Sequence, residues 1–391
     1  MFGLVIAMGI GRFAYTPLLP MMQQEYGFGT DMAGGLATVN YGGYLLGALL
    51  CMLPAVDARR GWLFRGSLLL SVGTTAAMGL TDTISIWWGI RLLSGLASAG
   101  VMVLGSAIAL DTLTQRGAGG WRGFIYSGIG AGIALSGVVV LALDQFLYAR
   151  GLWVVLALLC LPLVVASWHL VPQCSPHSAP HAAPHGIPAP MRLPPLIPWL
   201  VVAYCSVGLG YIVSGTFLVA IVQANTASTT AGTMTWVIVG VAAVGSTLVW
   251  PALAARFGDV HALVAAHALQ ALGILLPVLS PGVVAASVGA FLFGGTFMGI
   301  VALTMSLGQH LAPRRSARIL GLLTTVYGAG QMIGPLLAGV LAEYTESFTL
   351  PLVGAAVVVA VGGIVLVVGT GLGRWYQTQS LKGEVYAIRE Y

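Results

Sequence analysis

Charge is what this chain has least of: 7% of its 391 residues are Asp, Glu, Lys or Arg, and a single one of them, Lys382, is a lysine. Soluble domains carry about a quarter charged residues, so a water-soluble globule is excluded by composition. With no Gly-x-x-x-x-Gly-Lys segment there is no phosphate-binding loop, which argues against a nucleotide-driven pump. The eleven acidic residues all fall in loops, at the ends of apolar runs or in the tail, so no carboxylate is placed at depth to carry a coupling proton. A His-Glu-x-x-His helix, paired aspartates and Ser/His or Ser/Lys pairs are likewise missing from the apolar runs, which argues against an intramembrane hydrolase. The four cysteines, Cys51, Cys160, Cys174 and Cys205, show no paired spacing, so neither a disulfide framework nor a zinc site is implied. No enzyme activity, cofactor or metal is expected.

What is abundant points to a bilayer. Hydrophobic residues make up 58% of the chain and glycine 54 of its 391 positions. Windows of about 20 residues mark twelve crossings, near 2–22, 33–54, 63–81, 84–110, 122–143, 151–171, 196–222, 231–254, 260–280, 283–310, 319–342 and 349–371. The expected fold is an all-α membrane protein with an N-terminal six-helix bundle (1–171), a Pro/His-rich linker (172–195), a C-terminal six-helix bundle (196–371) and a tail (372–391). The first run has no charged n-region and ends in prolines, so it is read as a span rather than a cleavable signal. Glycines four apart, at Gly43/Gly47, Gly128/Gly132, Gly295/Gly299 and Gly330/Gly334, read as close helix packing. Thirteen of the 16 Lys and Arg, from Arg59 to Arg389, lie in alternate loops or the tail, one (Arg150) lies on the other side, and Arg12 and Arg91 lie within spans. Those loops, the linker and both termini are therefore expected in the cytoplasm of a bacterial inner membrane. The net charge of +5 is explained by this topology and needs no nucleic-acid partner.

Arg12 is the costly residue. A guanidinium at bilayer depth costs at least ~2.5–3.5 kcal/mol on insertion scales, so it must face a protein interior or wet cavity. Pro17 and Pro20 follow it, each removing an N–H and so freeing the carbonyls of Phe13 and Thr16, with a kink expected. Irregular backbone is tolerated at depth only inside protein or beside a cavity, so the first span is read as a cavity wall with Arg12, Tyr15 and Thr16 on one face. The halves also repeat: Gly9-x-Gly11-Arg12 aligns with Gly208-x-Gly210-Tyr211, Arg59-x-Gly61 with Arg256-x-Gly258, and Gly130-x-Gly132 with Gly328-x-Gly330, at offsets of 199, 197 and 198.

With twelve spans in two halves and these glycine patterns, the chain resembles the major facilitator superfamily of secondary transporters. The opening Gly9-Ile-Gly-Arg12-Phe-Ala-Tyr15-Thr-Pro17-Leu-Leu-Pro20 resembles its YbfB/YjiJ group. The resemblance implies two pseudo-two-fold-related bundles that alternate between inward- and outward-open states around a cavity lined by spans one, four, seven and ten. Arg91-x-x-Ser94-Gly95 is similar to the superfamily's Arg-x-x-Gln-Gly motif, with Ser94 in place of Gln. Its cytoplasmic Asp-Arg-x-Gly motif is degenerate in both halves, with Ala58 and Ala255 at the aspartate place and Arg59, Gly61, Arg256 and Gly258 retained.

The expected substrate contacts are Arg12, Tyr15, Asn40, Tyr44, Arg91, Tyr211, Ser214, Tyr327 and Gln331, with Tyr41 and Tyr204 near them. Each also has a packing reading: a structural arginine bonded to carbonyls and hydroxyls, or polar groups joining helices. The expected gate residues are Arg59, Gly61, Asp111, Arg256 and Gly258, with Asp111 able to pair with Arg59 or Arg60. In the linker, His177, His181 and His185 stand roughly 12 Å apart if extended, too far for one ion, so a linker is favoured over a metal loop. A positive charge without a built-in counter-charge favours a small anionic or strongly polar organic substrate, carried by a monomer, with protons open as a coupling partner. Efflux of drugs or sugars, and a sensor that has lost transport, are the alternatives.

Overall fold

A bilayer interior offers no water to backbone N–H and C=O groups, so a chain of long apolar runs must satisfy them within helices. The computed structural model describes residues 1–57, 59–117, 122–170 and 194–389, with side chains as far as 371 except at 54, 57, 122, 170, 314, 316 and 317, and contains helices but no strand among them. The long helices are α1 (Phe2–Tyr26), α2 (Thr30–Leu50), α3 (Arg60–Leu80), α4 (Ile84–Gln115), α5 (Arg122–Leu143) and α6 (Ala149–Leu170). After the linker come α7 (Leu196–Thr226), α8 (Thr229–Phe257), α9 (Asp259–Leu279), α10 (Val283–Leu311), α11 (Ser316–Thr345) and α12 (Thr349–Arg389). Short turns at Pro54–Asp57 and Pro313–Arg315 precede α3 and α11. The linker positions Cys174, His177, His181 and His185, and Ala58, lie outside the described residues.

Among the described residues, 11 helices are long and apolar enough to cross a membrane. The other long helix is α2, which has 21 residues but carries Thr30, Asp31, Thr38, Asn40, Tyr41 and Tyr44. It packs between α4 and α11, which buries Asn40 and Tyr41, while Asp31 is exposed in its first turn. The bundle is apolar outside, with Val284 78% and Leu80 72% exposed, and its buried polar groups include Arg12, Asn40, Arg91 and Gln331. That distribution suits a lipid solvent and would be an aggregation hazard in water. The stretch expected as a tail continues α12 as helix to Arg389.

The first span is broken, but not by the prolines themselves. Val5–Ile10 form a π-helical turn, regular helix resumes at Tyr15, and Arg12 stands in the break. Gly11 N–H donates to the Ile6 carbonyl (2.7 Å) and Phe13 N–H to that of Met8 (3.2 Å), each one residue further back than in an α-helix. Pro17 falls in the first turn of the resumed helix, where a missing N–H costs nothing. The Phe13 carbonyl expected to be free is taken by Thr16 N–H at 3.2 Å. The Gly11 carbonyl finds its partner outside the helix, where Ser94 Oγ on α4 donates to it at 3.0 Å.

The internal repeat reappears as matched packing. A Cβ on Gly95 (α4) would collide with the Asn40 carbonyl of α2, and one on Gly294 (α10) with the Val239 carbonyl of α8; both partners differ by 199 positions. Most of the paired glycines do sit against neighbouring backbone or side chains, but Gly295 faces open space. The first six and last six helices meet along two seams. At α5–α8, Gly123, Gly130 and Gly137 lie against α8 from Thr247 to Val237, so the backbones touch along the length of the contact. At α2–α11 they touch only at the end of the bundle away from Met1, where Gly34 meets Pro335 and Gly339 meets Thr30. Toward the Met1 end side chains intervene, Met332 against Gly42, Leu45 against Gly328 and Met52 against Gly321.

Candidate functional site

Arg12 is 2% exposed, so its guanidinium lies inside the bundle and not against lipid. Its Cζ lies 4.2 Å from the centre of the Tyr44 ring and 4.7 Å from that of Tyr41. Its Nη2 donates to Gln331 Oε1 on α11 at 2.9 Å, and Gln331 Nε2 donates onward to the Tyr211 hydroxyl on α7. Nε of Arg12 has no hydrogen-bond partner. Burying a charge of this size costs several kcal/mol. One hydrogen bond from a charged donor returns about 1.5–3 kcal/mol and each ring face about 0.5–2 kcal/mol. The guanidinium is therefore held without being neutralised, and the described carboxylates offer no counter-charge, since Glu25, Asp31, Asp82, Asp111, Asp144, Asp259, Glu343 and Glu346 all stand at or beyond helix ends.

A second arginine lies alongside. Arg91 on α4 is 1% exposed, its Cζ is 4.4 Å from the centre of the Tyr15 ring, and its Nε and Nη2 have no partner. Asn40 Nδ2 donates to the Arg91 carbonyl at 2.9 Å, while Asn40 Oδ1 is unpartnered. Motif Arg91-x-x-Ser94-Gly95 thus has three separate tasks: a buried cation, a bond to the broken backbone of α1, and room for α2.

The expected polar face of α1 is not a single face. Arg12 turns to α11; Tyr15 donates its hydroxyl to the Ala33 carbonyl of α2 (3.0 Å); Thr16 donates to the Gly215 carbonyl of α7 (2.5 Å). The i, i+3, i+4 rule presumes an uninterrupted helix, and the π turn and break change the angular step between Arg12 and Tyr15. Tyr41 and Thr216 hydroxyls meet at 3.2 Å beside Thr16, and Thr30 N–H donates to Glu343 Oε2 at 2.7 Å, so α1 and α2 are bonded to α7 near mid-depth and α2 to α11 at the far end.

Tyr211, Tyr327 and Tyr204 stack in sequence, with ring centres 5.5 and 4.4 Å apart and planes within 13°. Phe297 continues the wall 5.9 Å from Tyr211 at 8°, and Phe293 lies 5.8 Å from Phe297. Ser214 is buried with an unpartnered hydroxyl. Tyr44 and Tyr327 are half-buried. Phe293 and Phe297 escaped sequence reasoning, although their i, i+4 spacing on α10 was a signal; among so many apolar residues it had no contrast.

The residues expected to gate lie at helix ends. Arg60, rather than Arg59, pairs with Asp111 at 2.7 Å, joining the start of α3 to the end of α4. Gly61 lies in the first turn of α3. Arg256 stands over the Phe257 ring at 5.3 Å, and Gly258, at φ +90°, ends α8. Asp259 faces His310 at 3.6 Å. Positions 60 and 111 plus 199 are 259 and 310, so the same two places face each other again, with the carboxylate now on the first of them. His267, on α9, is buried and bonded to the Leu263 carbonyl at 2.7 Å, with α12 glycines beside it, away from Arg12.

Residues 4–367 match a family model described as "Uncharacterised MFS-type transporter YbfB". No curated protein matches the chain. Among the solved structures that match is a point mutant of the nucleoside transporter NupG, with 14% sequence identity, a TM-score of 0.67, and coverage of 95% of this chain and 98% of that one.

Proposed function

The chain belongs to the YbfB family of major facilitator superfamily transporters, multi-pass membrane transport proteins rather than enzymes, and from that membership we propose that it moves a small organic anion by alternating access. The observation that carries the proposal is the Arg12 guanidinium, buried in a core whose described residues supply no carboxylate and retaining an Nε–H with no acceptor. A buried, incompletely satisfied donor of this kind is costly unless an anion arrives to complete it. Arg91, with two unpartnered donors, supports the same reading. Asn40, Tyr44, Tyr211, Ser214 and Tyr327 are the remaining proposed contacts, with Gln331 beside them on the Arg12 guanidinium, and the Tyr15 ring, with its hydroxyl occupied, supports Arg91.

The two six-helix segments, 1–171 and 196–371, are the proposed moving bodies, in a bacterial inner membrane with both termini cytoplasmic and the protein monomeric. On that orientation, α2 and α11 separate toward the cytoplasm and the far-end bonds close the outside. With no carboxylate in the core among the described residues, the proposed routes are a proton carried on the substrate, exchange, or uncoupled movement. Uptake of labelled lactate, succinate and benzoate into proteoliposomes tests the reading. Wild type should transport at least one of them, and Arg12→Ala should abolish that uptake; equal uptake by both proteins rejects the role of Arg12.

The near-parallel wall of Tyr204, Tyr327, Tyr211 and Phe297 favours a second reading, a flat neutral solute of the nucleoside kind. Uptake of uridine that is insensitive to Arg12→Ala would select it.

A further inference from the structure

A guanidinium presents Nε–H and Nη2–H along one edge as a two-pronged fork that matches the two oxygens of a carboxylate. On Arg12 this edge is half filled: Nη2 is bonded to Gln331 Oε1 at 2.9 Å, and Nε has no partner. An amide has one acceptor oxygen, so Gln331 can satisfy one prong well and leaves the other bare. Its Nε2 is committed at the same time to the Tyr211 hydroxyl, which holds the amide in that orientation. Resting on the anion reading above, we infer that Gln331 is an internal competitor for substrate: its Oε1 occupies one of the two positions that a substrate carboxylate must take, and binding requires its displacement.

The exchange explains selectivity. A carboxylate makes charge-assisted bonds to both prongs, roughly twice as strong as those of a neutral acceptor, and so displaces the amide. An ester or amide of the same shape offers a neutral oxygen no better than the one already present. The exchange also links binding to the seam. Gln331 bridges Arg12 of α1 to Tyr211 of α7 from its own place on α11, and displacing it removes the side-chain tie between α1 and α11. In this role Gln331 sets specificity and does not hold the substrate.

The test uses purified full-length protein, with benzoate, succinate, lactate and the neutral methyl benzoate as probes, read by thermal shift and by titration. For an acid that the wild type binds, Gln331→Ala and Gln331→Leu should tighten binding by about tenfold, the worth of one hydrogen bond to a charged donor, and methyl benzoate should remain silent on wild type. Gln331→Glu, which fills the fork permanently, should melt higher than wild type without any ligand and respond to no acid. If the wild type binds an acid and Gln331→Ala and Gln331→Leu weaken it, Gln331 is a direct substrate contact and the inference is overturned, with the anion reading left standing. A Gln331→Glu protein that still binds acids as wild type does overturns it as well. A wild type indifferent to every acid sinks the anion reading and this inference together.

Discussion

The two seams between the first six and last six helices are built in opposite ways. At α5–α8 the helices meet backbone to backbone, with Gly130 against the Gly240 carbonyl and Gly240 against Ala134, and among the described residues no side-chain hydrogen bond crosses. Between α1–α2 and α7–α11 the contact is polar and uneven: Thr30 reaches across at the far end and Thr16, Thr38, Tyr41 and Arg12 nearer mid-depth, while long side chains separate the helices nearer Met1. Close packing of small residues is gained or lost over fractions of an ångström, so it resists separation yet allows a small pivot. Hydrogen bonds can be exchanged for others, to water or to substrate, at a net cost of about 1 kcal/mol each. On the alternating-access reading proposed above, the first seam would be the hinge and the second the latch, with the buried arginine within the latch.

The largest effect should come from one bulky residue placed in each seam. Gly240→Leu drives a side chain into the Ala134 backbone and should cost ~3 kcal/mol or more, seen as loss of monodisperse protein or a collapsed unfolding midpoint. Gly42→Leu at the other seam meets only the flexible end of Met332, 3.3 Å from an added Cβ, and should leave the midpoint within ~1 kcal/mol of wild type. Equal losses would erase the distinction between the seams. A smaller effect is expected from Thr16→Val, which removes the bond to the Gly215 carbonyl without changing shape. It should cost about 1 kcal/mol and raise hydrogen–deuterium exchange in Tyr15–Tyr26 while α5 and α8 stay protected. Exchange that rises at α5–α8 instead would reverse the assignment. The smallest effect belongs to Asp111→Asn, which breaks a partly exposed pair within the first six helices. It should shift stability by at most ~1 kcal/mol, and a larger loss would make that strut part of the latch.

Much of this arrangement was legible beforehand. A lone arginine in an apolar run has few physical options, so Arg12 had to point inward, and it does. The glycine pairs and the near-constant offset between the halves announced close packing, and the same offset recurs in the struts at 60/111 and 259/310. The directions of Tyr15 and Thr16 were not legible, because they depend on a π turn that no local propensity marks. Nor could the chain disclose that Gln331 would meet Arg12: the two are 319 positions apart, on helices whose rotation is set by packing.

Composition and residue order by themselves determined the bilayer setting, the helical class and the presence of a buried cation. These follow from transfer free energies and from backbone hydrogen bonding, which act on each segment separately. Which groups face that cation, which seam is closely packed and which basic residue meets Asp111 were decided only in the folded bundle. Those are relations between segments, fixed by how closely glycine lets one helix approach another and by the few hydrogen bonds a dry interior leaves available.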